Sequence, residues 1–336
     1  PARSVNRCSV KPLLASLILL TSGLFALSLA VGPAAIGPVA SFQALLTDTQ
    51  TPLSLVMQEI RLPRAILAVL VGASLGLSGA AMQGYLRNPL AEPGLLGVSG
   101  SAALGAVLAI QLGLASAFPL GLPLAALAGA LLGVFLITLL AGSRGGSLSL
   151  ILAGIAISAL ASAMVSLVLN LSPNPFATSE IVFWMMGSLA DRSMEHVLLA
   201  LPFVVLGGLL LATLSRPLDA MTLGEDAAEA LGMRLSRVRR QLIIGTALVV
   251  GASTAVAGTI GFVGLVVPHL LRPLVGAMPG RLLVASALGG AAMVLLADIL
   301  VRVILPEADL KLGVLTAFIG APLFLHLIYQ TRRELA

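Results

Sequence analysis

Three histidines, fourteen carboxylates and nineteen basic side chains make up the reactive inventory of this 336-residue chain, and their spacing argues against most chemistry. His196, His269 and His326 lie far apart, and no two have the separation through which side chains on one element share a metal. Glu195 adjoins His196, but neighbours along a helix do not face one another. The acids that could share a helical face, Asp191 with Glu195 and Glu225 with Glu229, fall in or beside polar connections. No G-x-x-x-x-G-K-[ST] string occurs, so the sequence offers no cradle for nucleotide phosphates. Asp298 is alone among the acids in standing within an apolar run, one turn before Arg302, and an intrahelical pair is one reading of it. Arg61 and Arg64 open another apolar run. Guanidinium forks there can hold carboxylates in fixed geometry or snorkel to headgroups. Met185, Met186 and Met194 surround Trp184, a soft set suited to adaptable contact or to packing. These groups point to recognition and passage, not to bond making.

The elements that carry them must sit in a bilayer. A chain that is 58% hydrophobic and 10% charged, with mean hydropathy +1.08, cannot hide its apolar surface in one water-soluble core. A helical crossing takes roughly 20 apolar residues. About ten runs qualify, near 13–32, 62–84, 94–114, 118–142, 148–170, 196–215, 239–258, 263–277, 281–304 and 311–330. The eighth is short and carries Pro268, His269, Arg272 and Pro273, which predicts a broken or shallow helix. Thirty-five glycines suit close helix crossings, and small-xxx-small pairs recur, as in Gly72 to Gly76 and Gly129 to Gly133. The first run follows Arg7 and Lys11 as a signal peptide would, but at about 20 residues it exceeds the usual apolar region of roughly 7–15, so an uncleaved first helix is expected. Cys8 is the single cysteine and excludes an internal disulfide.

The net charge of +5 is topological rather than a sign of a nucleic-acid partner. With ten spans and both ends on one side, fourteen of the nineteen basic residues fall on the terminal side, among them Arg87, Arg144, Arg216 and the run Arg234, Arg237, Arg239, Arg240. The other five are Arg61, Arg64, Arg192, Arg302 and Lys311. The positive-inside rule then puts both termini in the cytoplasm. A partial repeat supports a transport architecture. Val71-Gly72-Ala73-Ser74, Gly79 and Pro89 recur as Val250-Gly251-Ala252-Ser253, Gly258 and Pro268 at one offset of 179 residues. The second and seventh spans cross in opposite directions on this count, which makes the repeat inverted and points to a path between the halves.

The longest polar connection, 216–240, lies on the cytoplasmic side. Thr222 and Glu225 have capping-box spacing, Glu225 and Asp226 suit the positive end of a helix dipole, and Gly232 follows as a stop. A helix from Leu223 to Leu231 is predicted, with Ala227, Ala228 and Leu231 as a small exposed apolar face. Such a face suits docking in a groove of a soluble partner. A solvated connector is the competing reading.

Several long strings together resemble the permease family of type II ABC importers, which carry cobalamin, ferric siderophores and haem across the bacterial inner membrane. They are R-L-P-R from Arg61, G-A-x-L-x-x-S-G-A-x-M-Q from Gly72, N-P-L-A-E-P-G-L-L-G-V-S from Asn88, L-G-E-x-A-x-x-x-L-G from Leu223, G-x-I-G-F-V-G-L-V-V-P-H-L-x-R from Gly258, L-L-A-D-I-x-x-R from Leu295 and L-G-V-L-T-A-F-I-G-A-P-L-F from Leu312. The resemblance implies one transmembrane domain over 1–336, an all-α polytopic fold of ten helices, and assembly with a second copy of the chain. Two ATPase subunits carrying ATP and magnesium on the cytoplasmic face and a periplasmic binding protein opposite complete the implied complex, so the chain itself needs no cofactor or metal and is no enzyme. By position in the family's motifs, Arg61, Arg64 and Arg302 are expected to dock the binding protein. Asn88 and Leu90, with Ser147 and Leu148 in a turn before the fifth helix, are expected to form a cytoplasmic gate. Leu223, Gly224, Glu225, Ala228, Leu231 and Gly232 are expected to couple to the ATPase. The stretch Phe183 to His196 is most similar to haem-importing members, with ferric siderophores and cobalamin as alternatives. A proton- or sodium-coupled carrier is the rival class, but it would usually bury ionisable groups deep in the membrane, and Asp298 is the single acid within a span.

Overall fold

The computed structural model describes residues 10–32, 37–46, 51–142, 146–304 and 310–335. Arg3, Arg7, Cys8, Asp48, Arg144, Glu307 and Asp309 lie outside them, as do the side chains of Arg332, Arg333 and Glu334. Every regular element among the described residues is helical. Among the described residues, seven helices are long and apolar enough to cross a membrane, and three shorter apolar ones, Val98–Gln111, Val263–Val275 and Leu312–His326, lie in the other expected runs.

The second span differs from its expected bounds. It begins at Pro52, passes through a π-helical turn at Val56–Arg61 and continues as the α-helix Leu62–Leu86. Pro63 supplies the reason. A proline lacks its own N–H and crowds the carbonyl one turn back, so a wider turn just before it relieves the clash without ending the helix. The third span is shorter than expected because Pro93–Leu96 forms a 3-10 turn and Gly97, at φ 68°, breaks the path before Val98–Gln111. The eighth is broken as predicted. Gly258 (φ 73°) ends the helix Leu235–Ala257, Phe262 takes φ 67°, and the helix Val263–Leu271 tightens to a 3-10 turn at Arg272–Val275.

Helices Leu62–Leu86, Leu235–Ala257 and Pro279–Ile304 are the most enclosed. Leu62–Leu86 runs antiparallel to Pro279–Ile304, Gly72 against Gly290 and Gly76 against Ser286, so close that a Cβ on either glycine would strike the facing backbone. Gly105 and Gly129 play the same part between Val98–Gln111 and Gly121–Ala141, as do Gly207 and Gly245 between Met194–Ala212 and Leu235–Ala257. Without a hydrophobic drive between helices in lipid, such close backbone contact is the main attraction. The repeated residues Val71, Gly72 and Ser74 and their counterparts Val250, Gly251 and Ser253 are all buried on central helices. The offset does not preserve local structure further on. Gly79 lies inside a helix against Gly264, whereas Gly258 terminates one, and Pro89 sits in a turn while Pro268 sits inside a helix.

Candidate functional site

At one end of the bundle, three arginines and one acid join three helices. Arg64 donates from Nε to Asp298 Oδ1 at 2.9 Å, with its Nη2 also 2.9 Å from that oxygen. Arg302 Nη2 lies 2.9 Å from Asp298 Oδ2. Arg302 also donates to Ser28 O at 2.9 Å, Val31 O at 2.8 Å and Ser28 Oγ at 2.7 Å. Arg61 donates to Leu29 O at 2.9 Å and Ala30 O at 3.2 Å. These carbonyls belong to the C-terminal end of the helix Val10–Ala30, where the last turn has no partners of its own and the dipole favours cations. The sequence pattern placed Arg61 at a rim, but the structure turns it inward. It is 4% exposed, with Gly32 packed on its guanidinium. Arg64 is the more accessible, its side chain 17% exposed. The pairing of Arg302 with Asp298 was legible in their spacing; the second partner, Arg64, was not.

At the other end, Arg87 adopts φ 49° and caps the helix Leu62–Leu86 through Gln83 O. Asn88 then accepts the Leu90 N–H on its side-chain oxygen at 2.9 Å, closing an Asx turn that leaves both residues exposed. Ser147 and Leu148 form the first turn of the helix Ser147–Leu171 rather than a separate turn before it, and Leu148 is exposed. No hydrogen bond joins the two pairs within the described chain.

The polar connection is shorter and more firmly seated than its sequence predicts. Its helix spans Glu225–Ala230, with Gly224 at φ 109° before it. Thr222 does not cap it, because its hydroxyl donates to Asp219 O at 2.7 Å. The helix ends in a Schellman arrangement, with Met233 N–H to Ala228 O at 3.0 Å, Gly232 N–H to Glu229 O at 2.8 Å and Gly232 at φ 84°. Ala228 was expected on the exposed face and is instead fully buried against the rest of the chain; Leu223 and Leu231 carry the exposed apolar surface. Asp219 accepts the Gly280 N–H at 2.7 Å, and Glu225 lies 4.0 Å from Arg87. The connection is thereby tied to the ends of two central helices.

Beside this second end lies a set of residues that sequence reasoning missed. Gln83 donates to Gly264 O and Leu265 O at 3.4 and 3.2 Å, and Arg272 donates to Gln83 Oε1 at 2.7 Å, so the broken helix is held by an amide on its neighbour. Glu92 reads in sequence as a loop acid. It accepts the Phe262 N–H at 3.2 Å and borders a cavity of about 150 Å³ with Leu75, Val250, Thr259 and Gly264. Burial pushes its carboxyl above the ordinary range, against the opposing pull of the Phe262 N–H. The available signal was the position of Gln83 near the end of an apolar run and of Glu92 just before the next. The histidines do not converge, and no group of metal-binding side chains exists among the described residues. His196 is engaged locally, its Nδ1 3.3 Å from the Ser193 N–H and 3.1 Å from Ser193 Oγ.

Comparison with known proteins matches this geometry to transport subunits. The profile of the FecCD transport family covers residues 18–330. The chain is 41% identical over 276 residues to the vitamin B12 import system permease BtuC of Citrobacter koseri, covering 82% of this chain and 83% of that one. It is 39% identical over 322 residues to the hemin transport system permease HmuU of Yersinia pestis, covering 91% and 93%. A solved metal-chelate-type ABC transporter in an inward-facing conformation superposes with a TM-score of 0.84 at 36% identity, over 95% of this chain and 99% of that one. The chain belongs to the FecCD transport family and is an ABC importer permease.

Proposed function

We propose that this chain carries haem across the bacterial inner membrane as one of two identical permease subunits, driven by ATP hydrolysis on two cytoplasmic ATPase subunits and fed by a periplasmic binding protein. Both termini lie in the cytoplasm in this reading. The observation that carries the cargo is the stretch Phe183 to His196, whose pattern is most like haem importers, together with the near full-length similarity to a hemin permease. His196 is not needed as an iron ligand in this reading: its Nδ1 accepts the Ser193 N–H, which leaves the proton of the neutral ring on Nε2 in place of a lone pair for iron. An apolar path with few fixed charges suits a flat, largely apolar cargo that must be released, since each strong contact would slow exit. Arg64 would meet a carboxylate of the binding protein, while Arg302, like Arg61, spends its donors inside the chain and would hold the rim in shape. Asn88 and Leu90 would close the inner mouth with Ser147 and Leu148 across the two copies. The segment from Leu223 to Gly232 would dock the ATPase.

Vesicles containing the complete complex, offered haem, a ferric siderophore and cobalamin in turn with the cognate binding protein, test the cargo. Haem uptake is expected, and it should survive His196→Asn. Uptake of a siderophore or cobalamin without haem would refute the assignment.

A further inference from the structure

Arg239 and Arg240 stand at the mouth of a groove of about 520 Å³ between the helices Gly121–Ala141 and Leu235–Ala257. One wall is Ser236, Arg239, Arg240, Ile243 and Ile244. This spacing of three, four, seven and eight residues puts all five on one helical face. The other wall is Thr138, Ala141 and Gly142. Along the first wall the lining changes from hydroxyl and guanidinium to isoleucine over eight residues, about 12 Å of helix. Ile244 and the neighbouring Leu139 and Leu140 are exposed on the outside of the chain. The groove therefore has a cationic head and an apolar arm opening outward.

The two arginines are unequal. Arg239 is buried and donates to Gly142 O at 2.8 Å, stabilising the C-terminal end of the facing helix. Arg240 is exposed and has no partner among the described residues. Neither helix carries an acid, while the first turns of Leu235–Ala257 and its cap hold Arg234, Arg237, Arg239 and Arg240. A cationic pocket between membrane helices, with an apolar continuation, matches the two-part chemistry of an anionic phospholipid.

We propose that this groove binds one anionic phospholipid, its phosphodiester at Arg240, Arg239 and Ser236 and an acyl chain along Ile243 and Ile244. The site is separate from cargo, docking and coupling residues, and its occupancy does not depend on what the permease carries. The full chain in nanodiscs of equal phosphatidylcholine and phosphatidylglycerol, released into mild detergent, would be examined by native mass spectrometry for retained lipid. Wild type should retain phosphatidylglycerol in preference to phosphatidylcholine. Arg240→Gln should reduce that preference about fivefold, the effect of one juxtamembrane arginine. Ile244→Trp, at an exposed position that leaves the fold intact, should abolish retention by filling the apolar arm. Arg237→Gln, outside the lining, should change nothing. No preference in wild type, an unchanged preference in Arg240→Gln, or an equal loss in Arg237→Gln would overturn the proposal. Displacement of the lipid by inorganic phosphate, or retention surviving Ile244→Trp, would overturn it too, by reducing the site to a bare anion pocket.

Discussion

Asp298 carries more of the molecule's integrity than its single charge suggests. It is fully buried and balances Arg64 and Arg302, and through Arg302 it steadies the end of the helix Val10–Ala30. Replacing one member of a buried pair leaves a charge without compensation and costs about 3–5 kcal/mol. Asp298→Asn should therefore lower the thermal midpoint in detergent clearly, and Arg64→Gln less, since Arg64 is partly solvated; equal melting of Asp298→Asn and wild type would remove the acid from this role. Glu92 makes a pH-dependent counterpart. Its folded carboxyl is raised by burial, so its contribution to stability is present below the unfolded value near 4.5 and is lost as pH rises through the folded one. Glu92→Gln keeps an acceptor for Phe262 N–H and cannot ionise. Melting curves should show wild type falling relative to Glu92→Gln as pH rises above about 4.5, and parallel curves would count against a strained carboxylate there.

At the scale of elements, hydropathy marked the seven long apolar helices and the three shorter ones among the described residues, since apolarity over a run shows whatever surrounds it. Their ends were less legible because they depend on tertiary partners. The π-turn before Pro63 and the αL break at Gly97 are local events that a hydropathy window averages away. The connection near Ala228 shows the same limit. Its helix signal and its Gly232 stop were visible, but which side of a six-residue helix faces the protein is set by packing on the preceding helix Ser215–Met221, where Leu218 and Met221 are buried. The coupling test changes accordingly. Leu223→Asp with Leu231→Asp, both at exposed positions, should leave the fold intact and reduce transport-linked ATP turnover of the assembled complex more than about tenfold, as loss of interface anchors does. Ala228→Asp should instead destabilise the segment itself. Normal coupling in the leucine double variant would exclude this surface as the contact.

The whole molecule presents two unlike ends. One carries Arg61, Arg64 and Arg302, all engaged within the chain, and the other carries Arg234, Arg237 and Arg240 exposed toward solvent or lipid. Charge counting separated those ends from sequence, because each arginine could be assigned to a loop. It could not tell an arginine that faces a partner from one that holds a helix terminus, since both occur at the ends of spans. This distinction governs how a binding protein would be recognised. Rim charges act mainly on encounter and orientation and are screened by salt, whereas buried ones act on the fold. Binding-protein affinity for the complex should fall as ionic strength rises. Arg64→Gln should weaken it at low salt, through a slower association rate. Arg61→Gln should leave association unchanged and lower thermal stability, because its guanidinium is committed to Leu29 O and Ala30 O. If Arg61→Gln weakened binding as much as Arg64→Gln with no change in melting, the buried arginine would have to turn outward on docking, and the end of the helix Val10–Ala30 would have to move with it.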